Sequence, residues 1–409
     1  MDIKKVFVLG AGYMGNGITQ VTALAGYKVT MSDVSDERLQ AGMEEIKWSL
    51  GKLLSKEKIT QDKHDAALEN LNTTTGIEEA RDADIVVEAV PENMELKKEV
   101  FARLDGICPE STILATNTSA IPISSIAAAT ERPDRVVGTH FFGPVPLMRL
   151  CEIISGLLTS EETFAAADAW ARSVGKETVL VRKDHAGFVA NRINIPATLE
   201  AVRMVEEGAA TPEEIDRATG GFDFGVGPMQ IVDNAGVDVT LGASTAIYKD
   251  TGDPVFLPPP LMRRMVAAGL LGRKTGKGFY DYSSGERNNY DLVDTGAAYR
   301  SDETEEEKAE RLRKAINRLM LSVLLEAIRL LEAGVATAED IDKASRLGFN
   351  FPQGPLEMAD STGIDTAMRT AEALYEETGS PAFLVPPLMR RMVAAGLLGR
   401  KTNHGFYTY

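Results

Sequence analysis

The feature that most constrains this chain is that it repeats itself. Leu261–Thr275 (LMRRMVAAGLLGRKT) returns unchanged as Leu388–Thr402, an offset of 127 residues. Fifteen consecutive identities do not arise by chance, and the flanks agree, with Phe256-Leu257 and Tyr280 matching Phe383-Leu384 and Tyr407. Upstream, Asn191, Glu200-Ala201, Gly208 and Ile215-Asp216 match Asn317, Glu326-Ala327, Gly334 and Ile341-Asp342 at an offset of 126. Gly221-Phe222, Gly227-Pro228, Asp233, Gly236 and Asp238 match Gly348-Phe349, Gly354-Pro355, Asp360, Gly363 and Asp365 at 127, so one residue was inserted between the blocks. Apolar residues in this part, such as Ile195, Leu199, Val202 and Val205, recur at helical spacing. Two copies of roughly 95–100 residues are too few and too long for a solenoid. Duplication of a dimerising helical unit is the simplest physical account.

Ahead of the copies the pattern changes. Short apolar runs alternate with amphipathic stretches, as βαβ units feeding a parallel sheet do. Strands are expected near Lys5–Leu9, Lys28–Ser32, Ile85–Ala89, Thr112–Thr116, Arg135–Thr139 and Leu150–Ile154, with a long, charged helical insertion over Glu37–Leu68. Ser283–Glu307 is polar and ends in an acidic cluster, which reads as a linker. The division is therefore an α/β domain over 1–185, a first helical domain over 186–282, a linker over 283–307 and a second helical domain over 308–409. A length of 409 residues suits two or three domains.

A net charge of −16 with no basic tract disfavours nucleic acid and acidic membranes as partners. No run of 18 apolar residues exists and the start carries no signal-like segment, so a cytoplasmic protein is expected. The two cysteines, Cys108 and Cys151, read as core thiols, with neither a disulfide framework nor a metal site.

Gly10-Ala11-Gly12-Tyr13-Met14-Gly15 directly follows a strand and opens a helix. The spacing has a mechanism: Gly10 allows the tight turn, Gly12 lets a pyrophosphate reach the backbone, and Gly15 lets helix and strand pack closely. The helix N-terminus adds amide donors and positive potential. Asp33 ends the second strand, where a carboxylate accepts ribose hydroxyls and repels a 2′-phosphate. NAD is favoured over NADP.

At Thr139-His140-Phe141-Phe142-Gly143-Pro144-Val145-Pro146-Leu147-Met148, followed by Glu152, the sequence closely resembles the L-3-hydroxyacyl-CoA dehydrogenases, including their 3-hydroxybutyryl-CoA members. Glu88-Ala89-Val90-Pro91-Glu92-Asn93, Asn117-Thr118-Ser119, Gly187-Phe188-Val189-Ala190-Asn191-Arg192 and Arg273–Tyr280 look like that family in its order and spacing, over residues 1–282 almost continuously. The resemblance implies a Rossmann-like dinucleotide-binding domain followed by two tandem all-α domains of the 6-phosphogluconate-dehydrogenase-like type. The second copy looks like the extra domain of the large β-oxidation proteins, whose hydratase half has no counterpart in this sequence. The activity implied is reversible, NAD-dependent oxidation of (S)-3-hydroxyacyl-CoA in fatty-acid metabolism.

Within that resemblance, His140 is the candidate base, because imidazole with an ordinary pKa of ~6.5 can take a hydroxyl proton at neutral pH. Glu152 matches the acid that fixes its tautomer, as triad carboxylates do. Ser119 resembles the serine that hydrogen-bonds the substrate oxygen beside the nicotinamide, and otherwise reads as a helix cap. Asn191 resembles the asparagine that donates to the thioester or 3-oxo oxygen. Glu92, Lys97 and Lys274 look like residues near the nicotinamide ribose or cofactor. Ser49 and Lys56 match positions that contact coenzyme A, although Lys47, Lys52, Lys56 and Lys58 equally make an ordinary solvated helix face. One departure stands out: Gly143 occupies a place where the family usually has Asn, so a donor near the nicotinamide ribose is missing. Single-copy relatives dimerise through the helical domain, so here the second copy is expected to fill the partner's place within a monomer, with a homodimer as the alternative. Two other functions remain open, a dehydrogenase of a free hydroxy acid or sugar acid and a non-catalytic NAD-binding structural protein.

Overall fold

The computed structural model describes residues 3–220, 226–290 and 302–409; Gly221-Phe222 of the repeat and positions 291–301 of the polar stretch lie outside the described residues. The chain divides into two units, Met1–Phe188 and Val189–Tyr409. No helix among the described residues is long and apolar enough to cross a membrane.

The first unit is built on one eight-stranded sheet. Its strands are β1 (Lys5–Leu9), β2 (Lys28–Ser32), β3 (Leu71–Thr74), β4 (Ile85–Glu88), β5 (Ile113–Thr116), β6 (Val136–Phe141), β7 (Leu150–Ile154) and β8 (Glu177–Val181), in the spatial order β3-β2-β1-β4-β5-β6-β7-β8. Every neighbouring pair is parallel except β6 and β7. β4 to β7 are buried along their whole length, which is why their sequences are near-continuous apolar runs. The chain proceeds from β1 to β2 and β3 on one side and resumes with β4 on the other, so the order reverses between β1 and β4. Ligands of open α/β sheets bind at the carboxyl ends of strands at such a reversal.

Two strands go beyond the sequence expectation. β3 is a half-buried, polar edge strand, and β8 closes the sheet beyond β7. The insertion forms two helices, Asp36–Ser55 and Gln61–Glu69, capped by the Ser35 and Thr60 side chains. Glu57, at φ 53°, lies in the break between them.

In the second unit each copy runs through the same series of helices. The first copy has Ala190–Glu206, Pro212–Gly220, Pro228–Ala235, Val237–Thr251 and Pro260–Ala267; the second has Glu305–Glu332, Ala338–Phe349, Pro355–Thr362, Ile364–Thr378 and Pro387–Ala394. Glu305–Glu332 starts three residues inside the stretch read as a linker. The two long helices pack against each other through reciprocal buried ion pairs. Arg192 Nε donates to Glu326 at 2.8 Å and Arg318 Nε donates to Glu200 at 2.6 Å. Arg192 and Arg318 are repeat partners, as are Glu200 and Glu326, so the contact is isologous although both halves belong to one chain.

Candidate active site

The β6–β7 pairing builds the centre of the site. Its antiparallel register sets His140 directly opposite Glu152, and residues opposite one another project from the same face of a sheet. Their side chains meet, with His140 Nδ1 2.8 Å from Glu152 Oε2. Glu152 is fully buried and the His140 side chain is 8% exposed. His140 lies inside β6, not beyond a strand ending at Thr139, because pairing with β7 extends the strand to Phe141. Phe142 and Phe188 flank the imidazole at ring-centroid distances of 4.5 and 5.7 Å. Buried carboxylates are costly when unpaired. Glu152 is therefore committed to the imidazole by its position, and a solvated edge carboxylate is ruled out.

Asn117, just past β5, accepts the Phe141 amide on Oδ1 at 2.9 Å and so pins the strand next to His140. Two residues on, Ser119 belongs to a loop gathered around one oxygen. Glu92 Oε1 accepts from Thr118 Oγ1 at 2.6 Å, the Ser119 amide at 3.0 Å, Ser119 Oγ at 3.4 Å and the Ala120 amide at 3.2 Å. Burial alone would push the Glu92 carboxyl up, but the Lys97 ammonium and these donors more than offset it and hold it below the usual carboxylate range. The following helix is Ile123–Ala127, whose first amides need acceptors. The Asp184 carboxylate supplies them, accepting the Ile123 and Ser124 amides at 2.9 and 2.6 Å.

The glycine turn has the shape its spacing requires. Gly10 is at φ 114°, and a Cβ there would lie 2.6 Å from the Ala89 carbonyl oxygen. A Cβ on Gly15 would strike the Gly10 carbonyl oxygen at 1.8 Å, whereas one on Gly12 would meet nothing within 4 Å. Turn and packing are thus closed by Gly10 and Gly15, while the Gly12 backbone stays approachable at the start of helix Tyr13–Leu24. Asp33 accepts the Ala11 amide at 2.8 Å and the Val34 amide at 2.7 Å, which fixes its carboxylate at the end of β2. This cradle fits a dinucleotide.

The Gly143 departure has a structural counterpart. A Cβ at Gly143 would lie 2.5 Å from Cε1 and 3.0 Å from the hydroxyl of Tyr13, which follows Gly12 in the glycine turn. The Tyr13 ring fills the space that a side chain at 143 would need. Nothing in the sequence couples two positions 130 residues apart. Sequence reasoning met Glu88 and Asn117 inside motifs without giving them a role, and missed Asp184 and Lys176 altogether. The buried Lys176 ammonium donates to the Val145 and Met148 carbonyls and ties down the loop between β6 and β7, and burial lowers its pKa to about 8.

His140, Glu152, Ser119, Glu92, Lys97, the glycine turn and Asp33 all belong to the first unit. Ser49 is within helix Asp36–Ser55 and Lys56 caps its end. Asn191 and Lys274 belong to the second unit, Asn191 as the second residue of its first helix. Lys274 pairs with Asp238 at 2.6 Å.

Residues 5–185 match the family model of the 3-hydroxyacyl-CoA dehydrogenase NAD-binding domain. Residues 187–282 and, a second time, 315–409 match that of the C-terminal domain. A probable 3-hydroxybutyryl-CoA dehydrogenase of Bacillus subtilis is 46% identical over 283 residues, 69% of this chain and 98% of that protein. The fatty acid oxidation complex subunit alpha of Shewanella amazonensis is 36% identical over 406 residues, 96% of this chain and 56% of the subunit. The crystal structure of the 3-hydroxybutyryl-CoA dehydrogenase of Escherichia coli K12 is similar over 97% of this chain and 99% of its own, with a TM-score of 0.87 and 30% identity.

Proposed function

The chain belongs to the 3-hydroxyacyl-CoA dehydrogenase family, and on that premise we propose that His140 is the base of its reaction and that its substrate is a short thioester of the 3-hydroxybutyryl-CoA kind. The protein is an NAD-dependent oxidoreductase that interconverts (S)-3-hydroxyacyl-CoA and 3-oxoacyl-CoA. NAD, when bound, accepts the hydride leaving the hydroxyl-bearing carbon.

The remaining chemistry falls to side chains. Glu152 accepts a hydrogen bond from Nδ1–H, which directs the Nε2 lone pair to the substrate hydroxyl and stabilises the imidazolium that forms. Ser119 and Asn191 hydrogen-bond the substrate oxygens, Glu92, Lys97 and Lys274 approach the cofactor, and Ser49 and Lys56 receive the coenzyme A moiety. The observation that carries this reading is the buried His140–Glu152 pair in strand register. NADH oxidation with 3-oxoacyl-CoA thioesters of increasing length, repeated with NADPH and with free acetoacetate, tests it. His140→Gln is expected to lower turnover about 10²–10⁴-fold with NADH affinity nearly intact. Unchanged turnover in that variant would remove His140 from the mechanism, and reduction of free acetoacetate would favour a hydroxy-acid dehydrogenase.

The reciprocal Arg192–Glu326 and Arg318–Glu200 pairs support a monomer whose second copy replaces a partner subunit. Light scattering at micromolar concentration is expected to give the mass of one chain, and a stable dimer would overturn this. Both cysteines are free and buried, which suits a reducing compartment and supports a cytoplasmic location.

A further inference from the structure

Glu88, the last residue of β4, is fully buried and plays no part in the mechanism above. Its Oε1 accepts the Val90 amide at 2.7 Å and the Lys97 ammonium at 2.7 Å, and its Oε2 accepts Thr116 Oγ1 at 2.7 Å. Glu88 therefore joins the ends of β4 and β5 at the order reversal. The neighbouring Ala89 amide donates to Leu9 at 2.8 Å, so this strand end also abuts the glycine turn.

Lys97, 1% exposed, donates to Glu88 Oε1 and, at 3.4 Å, to the Val90 carbonyl, and its ammonium forms an ion pair with Glu92 Oε2 at 3.4 Å. Glu92 uses its other oxygen to gather Thr118, Ser119 and Ala120. We propose that Glu88 is a positioning residue which, acting through Lys97, holds Glu92 and thereby the Ser119 loop in the geometry that cofactor and substrate require. This rests on Ser119 and Glu92 facing the reaction centre as read above.

The logic is electrostatic. Lys97 lies between two carboxylates, the fully buried Glu88, where a charge pair acts strongly, and the 41%-exposed Glu92, where water screens it more. The short hydrogen bond to Glu88 leaves only a longer ion-pair contact for Glu92, so Glu92 keeps its donors on the Ser119 loop. Removing the charge of Glu88 gives Lys97 a single anionic partner. The ammonium then draws Glu92 away from Ser119.

A double-mutant cycle reads this directly. Glu88→Gln, Lys97→Met and the charge-balanced double variant are compared by NADH affinity from fluorescence titration and by kcat/KM for acetoacetyl-CoA reduction. Glu88→Gln is expected to weaken NADH binding and lower kcat/KM by about tenfold each. In the Lys97→Met background the same change is expected to add less than twofold, because Glu88 reaches Glu92 through the lysine while a glutamine can still accept the Val90 amide and meet Thr116. Multiplicative effects, or a Glu88→Gln enzyme indistinguishable from the parent, overturn the proposal. Should Glu88→Gln alone fail to fold, Lys97→Met against the double variant decides, since a further tenfold loss in the double variant contradicts the relay. NADH affinities obeying the cycle in a parent that reduces no 3-oxoacyl-CoA would sink the functional reading and not the relay.

Discussion

The two helical copies agree where their fold needs them to and part where only one adjoins the α/β unit in sequence. In the first, Asp216 accepts the Met229 and Gln230 amides at 2.8 and 3.1 Å and the Tyr280 hydroxyl at 2.7 Å. In the second, Asp342 accepts the Leu356 and Glu357 amides at 2.9 and 3.0 Å and the Tyr407 hydroxyl at 2.8 Å. Asp233 and Asp360 each take two amides of the segment containing those tyrosines. The long helices differ. The first starts at Ala190 and contains Pro196, whereas the second starts at Glu305 under a full Thr304–Glu307 capping box. Asn191 is therefore the second residue of its helix and its partner Asn317 the thirteenth. Duplication keeps the scaffold, and the two copies differ in how far their first helix extends ahead of the shared asparagine.

If the copies truly form an internal two-fold, their shared interface should respond alike to equivalent damage. Arg192→Ala leaves the buried Glu326 with Arg329 alone, and Arg318→Ala leaves the buried Glu200 with Arg203 alone. Each is expected to cost about 3–5 kcal/mol, the usual penalty for stranding a buried charge. Arg318 also holds the half-exposed Glu207, so its loss should be the slightly larger one. Denaturant unfolding that finds one substitution severe and the other below about 1 kcal/mol would break the two-fold reading.

The copies should separate as pH changes. Burial, only partly offset by the Leu356 amide, the Tyr407 hydroxyl and the Glu357 amide, pushes the Asp342 carboxyl up to about 6. Burial also raises Asp216, less far, against donations from Tyr280, Met229 and Gln230. A carboxyl titrating near 6 when folded and near 3.9 when unfolded binds its proton more tightly in the folded state. The stabilisation is complete below about pH 4 and is lost as pH rises through 6, on the order of 2–3 kcal/mol. Unfolding measured at pH 4.5 and pH 7 should therefore show a smaller pH-dependent difference in Asp342→Asn than in the parent, and a smaller change again in Asp216→Asn. Equal slopes in the two variants would mean that the buried aspartates are equivalent after all.

Much of this architecture was legible in the sequence, for identifiable reasons. β1, β2 and β7 are short runs with buried residues on both sides, and no helix period fits them. The glycine turn and Asp33 are local signals of backbone geometry, and His140 and Glu152 are marked by their surrounding motif. The rest depends on pairing across long separations. β3 reads Leu-Asn-Thr-Thr, which no periodicity distinguishes from a turn, and only its register with β2 makes it a strand. Lys97 and Glu92 stand out by motif, but that Lys97 is bound first to Glu88 follows from burial of both at one strand end. The Tyr13 ring against Gly143 likewise exists only once β1 and β6 are folded into the sheet.

The smallest expected effect bears on the residue where the comparison cuts deepest. Lys274 pairs with Asp238, in the first turn of its helix, and Lys401 pairs with Asp365 in the same position of the second copy. A motif present in both copies, one of which has no dinucleotide domain of its own, is explained by the helical fold itself. The ion pair is therefore no argument that Lys274 touches cofactor. Both lysine side chains are more than two-fifths exposed, so Lys274→Met and Lys401→Met should each cost less than about 1 kcal/mol, and by similar amounts. NADH affinity separates fold from function. If Lys274 also approaches the cofactor, its substitution weakens NADH binding by roughly two- to tenfold, the 0.5–1.4 kcal/mol of one partly solvated charge, while Lys401→Met leaves binding unchanged. Equal affinities in the two variants would reduce Lys274 to a clamp on the helix start, as its counterpart is.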